Sequence, residues 1–95
     1  MGRSRLFGKR EMTDREQQAF EAAIRLRLTF CTRMAARRVS LGLSQSDLAK
    51  AVGLSRAQIT NLEAARGFPT LERAVAVAAA LDCSLSYLIG EKNKP

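Results

Sequence analysis

The sequence predicts an all-α fold: a compact domain of five short helices behind an additional N-terminal helical extension. Three observations predict it. Apolar residues recur at three- and four-residue spacing, with few alternating β-branched runs. Glycine and proline fall between the periodic segments, at Gly8, Gly42, Gly53, Gly67, Pro69, Gly90 and Pro95, rather than inside them. A Ser or Thr opens each periodic segment after the second, where a helix needs a side-chain acceptor for its unpaired N–H groups.

The first helix starts at Thr13, because Thr13-Asp14-Arg15-Glu16 is a capping box. Phe20, Ile24 and Leu28, with Ala23 beside them, form an apolar stripe that needs a partner, either the chain's own core or a dimer interface. This helix either continues or bends near Leu28-Thr29 into a second that ends around Leu41-Gly42, with Phe30, Met34, Ala35 and Val39 facing inward. Ser44 then caps a helix over Gln45–Val52, with Asp47 at its third position and Gly53 as its stop. Ser55, completed by Gln58 as S-x-x-Q, caps a helix to about Ala64. Gly67-Phe68-Pro69 breaks the pattern; Thr70 caps a helix through Leu81, and Ser84 caps a last one to about Ile89. Helices this short are unstable alone, so their apolar faces must pack together. The predicted core draws on Leu43, Leu48, Ala49, Val52, Leu54, Ile59, Leu62, Leu71, Ala74, Val77, Ala78, Leu81, Leu85, Leu88 and Ile89.

Composition narrows the function. The chain has 95 residues, enough for one modest core that buries roughly two-thirds of the unfolded surface. It has no His, which removes Ser-His and Cys-His nucleophile pairs, His general bases and His metal ligands. Cys31 and Cys83 stand 52 positions apart and cannot make a four-ligand zinc site; with no secretory signal they read as reduced, buried thiols of a cytoplasmic protein. Neither GxGxxG nor GxxxxGK occurs. No metal, cofactor or enzymatic activity is expected. The longest apolar run, AVAVAAAL from Ala74 to Leu81, is eight residues, short of the roughly 18 of a membrane span. The Met-Gly start lacks the Ser or Thr that myristoylation wants at the sixth position, where Leu6 stands.

Net charge is +7, which favours polyanions, nucleic acid first. Residues 1–38 carry +6 of it and residues 39–95 only +1. The first ten residues carry Arg3, Arg5, Lys9 and Arg10 and no acid, and 1–12 reads as a basic flexible arm that is a solvated tail, a phosphate- or groove-contacting arm, or both. The remaining boundaries are 13–28 for the extra helix, 29–90 for the main domain and 91–95 for a polar tail.

Residues 45–63, QSDLAKAVGLSRAQITNLE, carry the functional signal. Ala49 allows two helices to cross closely, Gly53 permits the positive φ of the turn, and Leu48, Val52, Leu54, Ile59 and Leu62 fill the wedge. The second helix then presents Arg56, Ala57, Thr60, Asn61 and Ala64 to solvent, a face of small and hydrogen-bonding side chains suited to the DNA major groove.

Residues 36–90 resemble the helix-turn-helix domain of the lambdoid phage repressor, Cro and xenobiotic-response-element-type regulators. The resemblance is carried by RRVSLGLSQSDLAKAVGLS (37–55), ITNLE (59–63), FPTLERAVAVAAALD (68–82) and SLSYLIG (84–90). It implies a DNA-binding regulator with its recognition helix at about 55–64. The base-reading positions would be Arg56, Ala57, Thr60 and Asn61. Arg56 suits O6 and N7 of guanine or a phosphate, Asn61 suits adenine or a phosphate, and Ala57 suits a thymine methyl. Gln45, Ser55, Gln58 and Arg66 would meet phosphate, with capping as the competing role of Gln58. Arg38 and Glu63 match a structural salt bridge. The resemblance further implies a homodimer on double-stranded DNA, with half-sites about one helical turn apart, joined through the final helix (Leu85, Tyr87, Leu88, Ile89) or the extension. The competing function is an antitoxin or protein-interaction module whose N-terminal extension binds a protein partner.

Overall fold

In the computed structural model the described residues are 6–7 and 10–95, with side chains from residue 11 onward. Of the basic arm residues, Arg3, Arg5 and Lys9 lie outside the described residues, as does the side chain of Arg10. Two short strands, β1 (Leu6–Phe7) and β2 (Arg10–Glu11), pair antiparallel with Leu6 opposite Glu11 and Phe7 opposite Arg10. The stretch read as a flexible arm therefore contains a hairpin. Five helices follow: α1 (Asp14–Ser40), α2 (Gln45–Val52), α3 (Arg56–Glu63), α4 (Leu71–Ala80) and α5 (Leu85–Leu88).

The start of α1 is the Thr13 capping box: Glu16 N–H donates to Thr13 Oγ1 at 3.2 Å, and Thr13 N–H donates to Glu16 Oε1 at 2.9 Å. No Gly or Pro interrupts residues 14–40, so the extension and the domain's first helix are one continuous 27-residue helix. At 1.5 Å per residue it is about 40 Å long. Its N-terminal part carries no buried side chain from Asp14 to Thr29; Phe30, Cys31 and Met34 enter the core.

Each later helix is started by its own hydroxyl. Ser44 accepts from Asp47 N–H, Ser55 from Gln58 N–H, Thr70 from Arg73 N–H and Ser84 from Tyr87 N–H, at 2.9–3.2 Å. The reciprocal bond from Ser44 N–H holds the Asp47 carboxyl below its ordinary range. Gly42 and Gly53 stop α1 and α2 with φ of +73° and +70°. Gly53 also lets Leu54 N–H reach Ala49 O at 2.9 Å, closing the turn into α3.

The core packs Phe30 and Met34 of α1 against Leu48 and Ala49 of α2, Ile59 of α3, Ala74, Val77 and Ala78 of α4, Leu81, and Leu88 of α5. Leu43, Val52, Leu54, Leu62, Leu85 and Ile89 close its margins. Two expected core residues are not there. Val39 is 65% exposed, because it stands nine residues from Phe30 and so half a turn out of phase at about 100° per residue. Leu71 is 72% exposed, because it is the first residue of α4 and projects past the core rather than into it. In the extension's stripe, Ile24 is half-buried while Phe20 and Leu28 are 40% and 52% exposed.

Two arginines tie α1 to the far end of the chain. Arg37 donates to Leu81 O at 2.8 Å and Asp82 O at 2.9 Å. Arg33 donates to Tyr87 O at 2.7 Å and to Lys92 O, and its guanidinium lies 4.6 Å from the Tyr87 ring centroid. Both cysteines are free thiols; Cys31 is buried with Sγ–H aimed at Leu28 O, and Cys83, only half-buried, has its thiol pKa pushed up by burial. Among the described residues no helix is long and apolar enough to cross a membrane.

Gly53 tests the turn. A Cβ there would meet nothing within 4 Å, so Gly53→Ala carries only the left-handed backbone strain. It is expected to cost about 1–2 kcal/mol in urea unfolding. Gly67→Ala, also in open space and without a positive φ, is expected to change stability by less than about 0.5 kcal/mol.

Candidate nucleic-acid interface

The outer face of α3 is positioned from beneath by one polar network. Arg38, on α1, presents both edges of its fork to Glu63 at the end of α3, with Nε–Oε2 at 2.7 Å and Nη2–Oε1 at 3.1 Å. The side chains are only 13% and 9% exposed. The remaining Nη1–H donates to Leu43 O at 2.7 Å, which fixes the connection into α2. Gln45 completes the set: its Nε2–H donates to Glu63 Oε1 at 3.1 Å, and its Oε1 accepts from the Thr60 hydroxyl at 2.8 Å. The hydrogen bond to Glu63 is the main reason the Arg38 pKa is raised further. One carboxylate thus joins α1, α2 and α3.

Above this network, Arg56, Ala57, Thr60 and Asn61 line one shallow concavity open to solvent. Arg56, Ala57 and Asn61 are exposed; Thr60 is half-buried, with its hydroxyl shared between Gln45 Oε1 and Arg56 O. Ser55 and Gln58 form the reciprocal cap at the start of α3, with Ser55 N–H donating to Gln58 Oε1 at 2.8 Å. That bond uses the amide oxygen of Gln58 and leaves its NH₂ group, so the capping and phosphate roles are compatible. Arg66, beyond α3, donates to Asn61 Oδ1 at 3.3 Å. Gln45 is different: its side chain serves Glu63 and Thr60, while its backbone N–H, in the first turn of α2, has no intrahelical acceptor.

The structure thus brings Arg56, Ala57, Thr60 and Asn61 onto one surface, places Ser55, Gln58 and Arg66 at its edges, and puts the Gln45 side chain underneath. Sequence reasoning missed the Gln45–Thr60 bond. Two polar residues on facing sides of a predicted wedge, beside a buried acid, were the available signal.

A second feature lies away from α3. Leu26, Phe30, Phe68, Leu71, Leu85 and Ile89 line an apolar groove between α1, α4 and α5. The Phe30 and Phe68 rings meet edge to face at 5.4 Å on one wall.

Removing the carboxylate at the centre of the network would leave the nearly buried Arg38 charge unpaired. Glu63→Ala is expected to cost about 3 kcal/mol, and the double replacement of Arg38 and Glu63 by Met clearly less than that, by urea unfolding.

Comparison with known proteins agrees with this geometry. Residues 34–88 match the family described as helix-turn-helix, HTH_3. The P22 c2 repressor, solved with a synthetic operator, is 35% identical over 66% of this chain and 96% of its own, with a TM-score of 0.63. The restriction-modification controller C.AhdI from Aeromonas hydrophila is 31% identical over 64% of this chain and 92% of its own, with a TM-score of 0.61. The biofilm regulator SinR, solved with DNA, is 27% identical over 62% and 95%, with a TM-score of 0.59. No curated protein matches the chain by sequence. The span of the family match and the fold together place this chain in the helix-turn-helix family of phage-repressor-like transcriptional regulators.

Proposed function

We propose that this chain is a sequence-specific repressor that binds a pseudo-palindromic operator as a homodimer in the bacterial cytosol or nucleoid and acts by occupying a promoter. The observation that carries the reading is the outer face of α3. It is exposed and concave, carries small or hydrogen-bonding side chains apart from Arg56, and is held from beneath by the Arg38–Glu63 pair. A major groove admits a helix only if no large side chain holds it off, and sequence is read there by forked donors such as Arg56 and by amides such as Asn61. Ser55, Gln58 and Arg66 flank the face and, with the backbone N–H of Gln45, would set register on the phosphates. Arg3, Arg5, Lys9 and Arg10 would add contacts that do not depend on sequence. The operator-bound P22 c2 repressor and DNA-bound SinR support this use of the fold. No step requires chemistry by the protein.

The dimer reading rests on the apolar groove. The two candidate dimer surfaces, the extension and the final helix, meet there, since Leu26 of α1 lines it together with Leu85 and Ile89, and Leu71 stands 72% exposed at its edge. Val75, one turn on in α4, is 51% exposed.

Selection of bound fragments from a random duplex library at near-physiological salt tests the function. The expected result is a two-fold motif with half-sites about one turn apart. Arg56→Ala should leave the fold intact and relax preference at one position per half-site, a loss of about 1–3 kcal/mol in discrimination. Recovery of no motif would overturn the reading and favour the protein-interaction alternative. For the dimer, Leu71→Glu should shift sedimentation from dimer toward monomer while changing monomer stability by less than about 0.5 kcal/mol. An unchanged dimer would move the interface elsewhere.

A further inference from the structure

We infer that the N-terminal half of α1 pairs antiparallel with the same segment of a second copy of the chain, and that this pairing covers the apolar groove; the inference rests on the homodimer reading and names what its groove receives. From Asp14 to Thr29 no side chain is buried, so about 24 Å of α1 stands outside the core. A helix of this length gains little from propensity alone and is held by packing of an apolar side. Ala19, Ala23, Leu26 and Phe30 recur at spacings of four, three and four residues and therefore share one side of α1. Leu26 and Phe30 line the groove; Ala19 and Ala23, both exposed, continue that side toward the start of the helix.

The groove alone is a small contact. Eight residues line it, whereas a stable interface takes roughly 20–30 a side. Its continuation along α1, present on both copies, lengthens the contact. The charges select the occupant. Residues 14–21 carry three acids and one base; residues 22–29 carry two bases, Arg25 and Arg27, and no acid. Neither arginine has an ion pair with a described residue. Two such helices laid antiparallel put the acidic half of each beside the basic half of the other, whereas a parallel pair puts like charge against like. A second copy of the chain therefore carries the complementary pattern by construction.

Side-chain size sets the register. With Leu26 of one copy opposite Ala19 of the other, a large side chain meets a small one twice, across a two-fold axis that crosses α1 between Ala22 and Ala23. The same register opposes residues 15–19 of each copy to residues 26–30 of the other, over the mouth of the groove. Leu71, 72% exposed at that mouth, then meets the other copy's α1 rather than water.

The test combines sedimentation of the full chain with disulfide linkage under mild oxidation. Ala23→Glu places two carboxylates at the two-fold axis and is expected to raise the dimer dissociation constant by about a hundredfold, with the amide resonances of Leu48 and Leu81 unmoved. Ala23→Cys is expected to give a disulfide-linked dimer, since the two Ala23 positions lie within a residue of each other along the axes. Ala19→Cys should not link, because the two Ala19 positions stand about 10 Å apart along the axes. Wild type, with its free Cys31 and Cys83, measures the background linkage. Linkage through Ala19→Cys as fast as through Ala23→Cys would indicate parallel helices and overturn the inference. A dimer broken by Leu71→Glu but intact in Ala23→Glu, with no linkage through Ala23→Cys, would also overturn it while leaving the groove as the interface. Wild type that stays monomeric at every concentration would overturn the homodimer reading and the inference together.

Discussion

The Arg38–Glu63 pair is the constraint on which the rest of the molecule depends. Helices α2 and α3 have eight residues each and could not persist alone. Apolar packing of Leu48, Ala49 and Ile59 holds them together but leaves their relative rotation loosely set, because dispersion is not directional. The carboxylate supplies the direction. It receives two edges of the Arg38 fork from α1 and one amide from α2, while the same amide accepts the Thr60 hydroxyl of α3. A rotation of α3 about its axis would break at least one of these bonds inside a poorly solvated pocket, where an unmade bond is costly. The outer face of α3 is therefore oriented before any ligand arrives.

That arrangement separates the tasks of the surface. The outer face of α3 bears a single charge, Arg56, among Ala57, Thr60 and Asn61, so what it offers is mainly shape and hydrogen bonding. Positive charge stands elsewhere: at the recess edged by Arg66 and Arg73, and in residues 1–38, which hold +6 of the net +7. Charge of that kind favours any nucleic acid, whereas a face of small and hydrogen-bonding side chains around one guanidinium suits discrimination among base edges. The apolar groove lies on the other flank of α4. A single helix, through Leu71 on one side and Arg73 on the other, borders both surfaces.

The parts of this organisation that rest on near neighbours were legible from the chain. All five caps, at Thr13, Ser44, Ser55, Thr70 and Ser84, were readable because a cap is a relation between residues three apart. So was the Gly53 stop, which needs only a positive φ. The parts that rest on the breadth of a packing partner were not. Val39 and Leu71 are apolar at plausible spacing, yet the core is too narrow to reach either. Whether residues 13–41 made one helix or two was open, since continuity shows only as the absence of a breaker. At the candidate site, the outer residues of α3 followed from its period, and the Arg38–Glu63 pair from resemblance. Thr60 was read as facing outward, without its bond to Gln45.

The central claim is that DNA meets the outer face of α3 and its edges. Backbone amide and arginine side-chain resonances followed during titration with a selected operator duplex test it most directly. The account predicts perturbations concentrated at Ser55, Arg56, Ala57, Asn61 and Arg66 and at the first turn of α2, with Leu81 and Leu88 nearly silent. Perturbations centred on the exposed surface of α1, with α3 unmoved at saturation, would contradict it.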